Sequence, residues 1–295
     1  MALRTNPTER QRRLAAELRR LREQAGLTLN EAGALIGMGR VHLTHIEGGR
    51  TAISTERLRR LCESYGCTSS TYIEALVTLS EDKGKGWWSA YKGKLTPSAL
   101  DLAELESKAN ELHSYESLFI PGLFQTEDYT ASIFHADDEV NTLDHIETAV
   151  GFRMQRQTVL TGESPPEIHA VIHEAALHMR FGGQAVMRKQ LLRLIELADL
   201  PHVSIQVLPF SAGGVSTLST PFFILTSHGS SLETVLIETP AQSLYLHDGD
   251  SVTKYRRQFD RLRSAALPAV DTQVTPVTHD SRDSLGLIQY VLYTL

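Results

Sequence analysis

Between residues 28 and 50 the chain reads TLNEAGALIGMGRVHLTHIEGGR, two short stretches of helical periodicity separated by a three-residue break. Thr28 is a good N-cap, Leu29, Ala32, Leu35 and Ile36 follow at helical spacing, and Gly37 ends the run. A second run from about Arg40 to Glu47 turns Leu43 and Ile46 inward and stops at Gly48-Gly49. Its other side carries Arg40, Val41, His42, Thr44 and His45. Leu14, Leu18 and Leu21 mark a preceding helix that ends near Gly26, and Ser54 or Thr55 opens a following one with Leu58, Leu61, Cys62 and Tyr65 inward. The stretch therefore predicts an all-α bundle of four or five short helices.

The chain is 295 residues long, which at roughly 150 residues per domain predicts two domains. A hydrophobic share of 41% and a charged share of 22% are those of a globular chain, and no run reaches the ~18 apolar residues of a membrane helix. The opening MALRTNPTERQRRL lacks an apolar h-region, so no secretory signal is expected; the reading is cytoplasmic, without a membrane partner. Cys62 and Cys67, the only cysteines, fit no zinc spacing and read as reduced, partly buried thiols. Charge divides unevenly: residues 1–60 carry net +6, which leaves −12 for residues 61–295. The front can face a polyanion and the remainder repels one. The polar, glycine-bearing SEDKGKG at 80–86 marks the boundary, predicting a domain over 1–80, a linker over 81–86 and a second domain over 87–295.

Past the linker, helical patterns are expected around 98–117, 126–136 and 141–161. The period then changes: IHAVIH (168–173), VSIQVLPF (203–210), PFFILT (221–226), TVLIET (234–239) and SLYLH (243–247) read as strands. VMRKQLLRLIELADL between the first two predicts a parallel crossover, and the close spacing of the others favours antiparallel pairing. Helices over about 249–267 and 284–295 close the chain. The expected class is α+β, a helical bundle followed by helices around a small mixed β-sheet.

The 28–50 segment with its flanking helices, about residues 12–66, resembles the helix-turn-helix of the phage-repressor-like (XRE) family. The resemblance implies double-stranded DNA as partner, with Arg40, Val41, Thr44 and His45, and His42 beside them, at base-reading positions. Arginine can fork onto guanine O6 and N7, and valine can touch a thymine methyl. Thr28 with the backbone at the start of the second helix, and Arg50 with Thr51, match phosphate-holding positions. Two departures stand out: Gly39 replaces the usual Ser or Thr cap, and Gly33 sits where alanine is common.

Other chemistry finds little support. In HEAALH the histidines 173 and 178 are five apart, which puts them about 140° around a helix rather than on one face, so no metal site is expected there. Glycine-rich phosphate loops and nucleophile-elbow motifs do not occur. His169, His173, Glu174, His178 and Glu238 lie near the expected sheet, but no spacing assigns them catalytic roles; neither enzyme activity nor a cofactor is expected. Trp87, Trp88 and Tyr91 form an aromatic stripe that reads as packing or as a ligand cage. PGLFQTEDY starts a helix capped by Thr126, with Gln125, Glu127 and Asp128 expected to be exposed for partner contact.

The ordered segments WWSAY, LAELESKANELHSYE, IPGLFQTEDY, RMQRQ, HEAAL, GGQAVMRKQLLRL, VSIQVLPFSAG and FDRLRSAAL resemble the C-terminal domain of actinomycete regulators of the WhiJ type. That resemblance implies a transcription regulator whose C-terminal domain senses a small partner protein, encoded nearby, or a small-molecule ligand, and dimerises. A second reading stays open, an antitoxin-like protein that mainly sequesters such a partner, with DNA binding serving autoregulation.

Overall fold

The computed structural model describes residues 3–136, 142–212, 220–227, 232–239, 241–273 and 283–295. Asn141 and Gly213, which end two of the sequence segments above, lie outside them. The chain divides into two compact units, Met1–Lys92 with Thr96–Lys108 and Thr226–Glu233, and Gly93–Leu95 with Ala109–Leu225 and Thr234–Leu295.

Helices α1 (Glu9–Gln24), α2 (Leu29–Leu35), α3 (Arg40–Glu47), α4 (Thr55–Ser64), α5 (Ser70–Glu81) and α6 (Pro97–Lys108) belong to the first unit. Side-chain caps start α2, α4 and α5, where Thr28, Ser54 and Ser69 accept from the backbone N–H three residues on. Leu18, Leu43, Leu58, Leu61 and Leu76 are wholly buried in one core. The turn between α2 and α3 depends on Gly37 at φ +64°, with Gly37 N–H donating to the Ala34 carbonyl and Met38 N–H to that of Gly33. This fold-back explains Gly33: a Cβ there would stand 2.3 Å from the Met38 carbonyl oxygen. Helix propensity alone favours alanine at the site by about 1 kcal/mol, yet the close backbone approach requires the turn to open before a methyl fits. Ion pairs from Arg10 to Glu104 (2.6 Å) and from Arg12 to Asp101 (2.8 Å) tie α1 to α6.

The second unit is built on a six-stranded sheet in the order β3-β2-β1-β4-β5-β6. Its strands are β1 (Ala109–Glu116), β2 (Glu167–His173), β3 (Val203–Leu208), β4 (Phe222–Ser227), β5 (Glu233–Glu238) and β6 (Ser243–Leu246). Its helices are α7 (Glu127–Ala136), α8 (Leu143–Arg156), α9 (Glu174–His178), α10 (Gln184–Leu197), α11 (Gly249–Ala265) and α12 (Ser284–Thr294). β1 and β2, and β2 and β3, pair in parallel, whereas β5 and β6 pair antiparallel, so the sheet is mixed and the overall class is α+β. The β2-α10-β3 segment is the parallel crossover expected from its pattern. Val252, Phe259 and Leu262 of α11 join Tyr115, Val171 and Ile224 in the core.

One expected element differs. The helical pattern over 98–117 ends at Lys108, and residues 109–116 form β1, a central strand. ANELHSYE has neither the apolar run of a buried strand nor a clean alternation, because His113, Ser114 and Glu116 are themselves buried in the sheet. Pairing with β2 on one side and β4 on the other overrides the local preference. Among the described residues no helix is long and apolar enough to cross a membrane.

Candidate functional site

Helix α3 separates its side chains cleanly. Leu43 and Ile46 are 0% and 3% exposed, while Val41 is 70% exposed and Arg40, His42 and Thr44 stand in solvent beside it. His45 is half-buried. Gly39 caps the helix with extended backbone and no side-chain bond. Thr44 Oγ1 donates 2.9 Å to the Arg40 carbonyl, which leaves its lone pairs for an outside donor. At the other end Gly49, at φ +70°, closes the helix: its N–H donates to the Ile46 carbonyl, and that of Arg50 to the His45 carbonyl.

Glu47, the last residue of α3, accepts two bonds from Arg22 of α1, at 2.7 and 2.9 Å, and Arg22 Nη1 donates 2.8 Å to the Leu27 carbonyl. The bidentate bond to Glu47 holds the Arg22 guanidinium even more firmly protonated than usual. This buried fork fixes the C-terminal end of α3 against α1.

The positive balance of the first 60 residues overstates what faces outward. Arg10, Arg12, Arg13, Arg19, Arg20, Arg22 and Arg59 are engaged by carboxylates. Arg4, Arg40, Arg50, Arg57 and Arg60 make no ion pair among the described residues. Arg4 was visible in sequence only as one charge among many. Its N–H donates 3.0 Å to the Arg50 carbonyl and its Nη1 3.3 Å to that of Gly49, which sets it beside Arg50.

The expected phosphate positions differ from one another. Arg50 is exposed, whereas Thr51 is half-buried and lines a cleft of about 460 Å³ with Arg4, Leu14, Ile46 and Leu79. Thr28 is already engaged: its hydroxyl donates 2.7 Å, and its backbone N–H 2.8 Å, to the Glu31 carboxylate. These bonds hold the Glu31 carboxyl below its ordinary pKa. The Glu31 carboxylate thus takes up both Thr28 donors.

The remaining sequence candidates divide as well. Trp87 and Trp88 meet edge to face at 5.9 Å, and Trp87 and Tyr91 at 6.1 Å. Trp88 is 6% exposed, its ring laid over Gly86, where a Cβ would come within 2.2 Å of it. Glu127 and Asp128 are exposed, and Asp128 accepts 2.8 Å from Lys189. Gln125, in contrast to its expected exposure, is buried. Its Nε2 donates 2.8 Å to the Ile120 carbonyl, and its Oε1 accepts from Arg153 at 2.8 Å and Thr130 at 3.1 Å. Gln157 adds a 2.6 Å bond to the Gln125 carbonyl. The separate segments PGLFQTEDY and RMQRQ therefore meet in one internal network, which turns Gln125 inward because burying its amide without partners would be costly.

His173 and His178 flank the Phe210 ring at 5.3 and 6.0 Å. His173 Nδ1 caps α9 by accepting from Ala175, and Glu174 accepts 2.7 Å from Phe210 N–H. Glu116, at the end of β1, is pushed up to about 8 by burial, with the nearby Glu238 adding to the shift.

A cluster the sequence reading did not assemble lies on the α11 side of the sheet. His113 and His169 are register partners on β1 and β2, their rings stacked at 5.2 Å. Arg256 donates to His113 Nδ1 (3.2 Å) and Glu111 Oε2 (3.1 Å), and His113 Nε2 stands 3.2 Å from Glu111 Oε1. Burial lowers His113 to about 4, so the ring is neutral at pH 7. An arginine only donates; Nδ1 must accept, and the ring proton lies on Nε2 toward Glu111. The members are 56 residues apart in sequence, and the 109–116 segment read as helix, so only an E-x-H alternation within a strand reading could have hinted at them.

A helix-turn-helix domain model matches residues 13–72, and a model described as a domain of unknown function (DUF5753) matches residues 99–274. Searches of curated proteins and of solved structures returned no significant match. The first match runs from within α1 to the first residues of α5, and a helix-turn-helix domain points to a DNA-binding regulator. The second spans more than half of the chain, and the protein accordingly belongs to the DUF5753 family, with a helix-turn-helix domain ahead of that family's domain.

Proposed function

We propose that this protein is a sequence-specific transcription regulator of the XRE type that reads double-stranded DNA through α3. The observation that carries the reading is the split of α3 into the buried Leu43 and Ile46 and an outward face of Arg40, Val41, His42 and Thr44. Arg40 and Val41 read base edges, His45 lies at the margin of that face, and Arg50, with Arg4 beside it, holds phosphate. A homodimer places two such helices about 34 Å apart on a near-palindromic operator. The C-terminal unit, of the WhiJ type, takes a small partner protein or ligand, with the exposed Glu127 and Asp128 as contact candidates. The protein acts in the cytoplasm and is not an enzyme.

The test starts from operators selected by genomic footprinting. Arg40→Ala lowers discrimination between operator and mismatched DNA by about 1–3 kcal/mol, roughly five- to 150-fold. Arg50→Ala weakens binding to all sequences and reduces the salt slope by about one. Unchanged affinity in both variants removes α3 from the mechanism. A stoichiometric complex with a co-expressed neighbouring gene product supports the partner role, and its absence limits the proposal to DNA and small ligands.

A further inference from the structure

We propose that Glu111, His113 and His169 form a binding site for one divalent transition-metal cation of the zinc class, which the Arg256 guanidinium closes in the metal-free chain. In-register parallel pairing puts His113 beside His169, and Glu111, two residues earlier on β1, shares their face of the sheet. One ligand atom from each lies within 4.8 Å of the others. Two imidazoles and one carboxylate suit zinc and its neighbours rather than calcium or magnesium, which prefer all-oxygen sets.

The spacing supports the assignment. Ligands bonded at about 2.0–2.1 Å to a tetrahedral zinc stand roughly 3.3–3.4 Å apart, and His113 Nε2 and Glu111 Oε1 are already 3.2 Å apart. His169 supplies the independent sign: its Nδ1 is buried and has no hydrogen-bond partner among the described residues. A buried polar atom left in that condition is costly, and a cation would satisfy its lone pair. Because the two rings are stacked, His169 turns about its side-chain torsion to close the set. Three protein ligands leave a fourth position for water or a ligand.

Arg256 marks the same place as one that takes positive charge, through its bonds to Glu111 and His113. It also competes with a metal. Ligation through His113 Nε2 moves the ring proton to Nδ1, which can then no longer accept from Arg256. The Arg256 and Glu111 side chains are 31% and 34% exposed, so the guanidinium has a route into solvent and the cation a route in.

The test uses the full chain stripped with a chelator, titrated with Zn²⁺ calorimetrically and with Co²⁺ by visible absorption. One equivalent per chain is expected, with the d–d bands of a four- or five-coordinate cobalt. Arg256→Gln should bind about tenfold more tightly, and His169→Gln at least about tenfold more weakly, both with native circular dichroism. Failure of the native chain to take up one equivalent overturns the proposal, even where Arg256→Gln binds. Undiminished uptake by His169→Gln overturns it too, since the metal then sits elsewhere.

Discussion

Replacing Glu47 by alanine tests how the exposed face of α3 is held in place. Arg22 and Glu47 side chains are 10% and 5% exposed, and the fork between them has bonds of 2.7 and 2.9 Å. In Glu47→Ala, Arg22 keeps its 2.8 Å bond to the Leu27 carbonyl and a 3.5 Å contact from Nη2 to the half-exposed Glu23 carboxylate, while its Nε loses its acceptor. Breaking a buried pair on one side costs about 3–5 kcal/mol, a large share of a typical stability of about 5–15 kcal/mol. Arginine can bend part of its head toward water, so the lower end, about 3 kcal/mol, is expected. Removing both charges, in Arg22→Met with Glu47→Ala, should cost much less than the sum of the single changes, because no charge is then stranded. Urea unfolding of the full chain, with amide exchange followed in α1 and α3, gives all four corners of the cycle. A cost below about 1 kcal/mol for Glu47→Ala, or additivity in the double variant, would refute the view that this fork anchors the helix.

Glu31→Gln removes a carboxylate from the first turn of α2 while leaving Thr28 a hydrogen-bonding partner. A charge about 4 Å from a phosphate repels it by about 1 kcal/mol in water, so DNA binding at low salt should tighten about fivefold; weakened binding at every salt concentration would count against that placement. Glu116→Gln reports on the buried carboxyl at the end of β1. Its folded pKa, about 8, lies above the unfolded value, so its contribution to stability is fully present below about pH 4.5 and is lost as pH rises toward 8. The variant should match the native chain near pH 4.5 and exceed it by a few kcal/mol at pH 8; parallel stability curves across that range would contradict the assignment.

Much of the first unit is legible from short range. The caps at Thr28 and Ser54, the glycine stops at 37 and 48–49, and the inward Leu43 and Ile46 are signals within one or two turns, and α3 runs over the residues its pattern marks. The strands from 167 onward are similarly announced by β-branched runs between turn residues. What sequence-local reasoning reads wrongly depends on partners far along the chain. ANELHSYE is a strand because β2 and β4 pair with it, and Gln125 is buried because Arg153 and Gln157 arrive from α8 and the turn after it to satisfy it.

From Thr28 to Gly49, near-neighbour signals set which residues are helical, where the helices stop and which face of α3 is polar, since capping, glycine conformation and apolar period act over one or two turns. Tertiary contacts alone settle which of the twelve N-terminal arginines lack an ion pair among the described residues, and bring Glu111, His113 and His169 together. Those outcomes rest on distances between groups as many as 94 residues apart, and no periodicity encodes a distance that chain folding alone brings about.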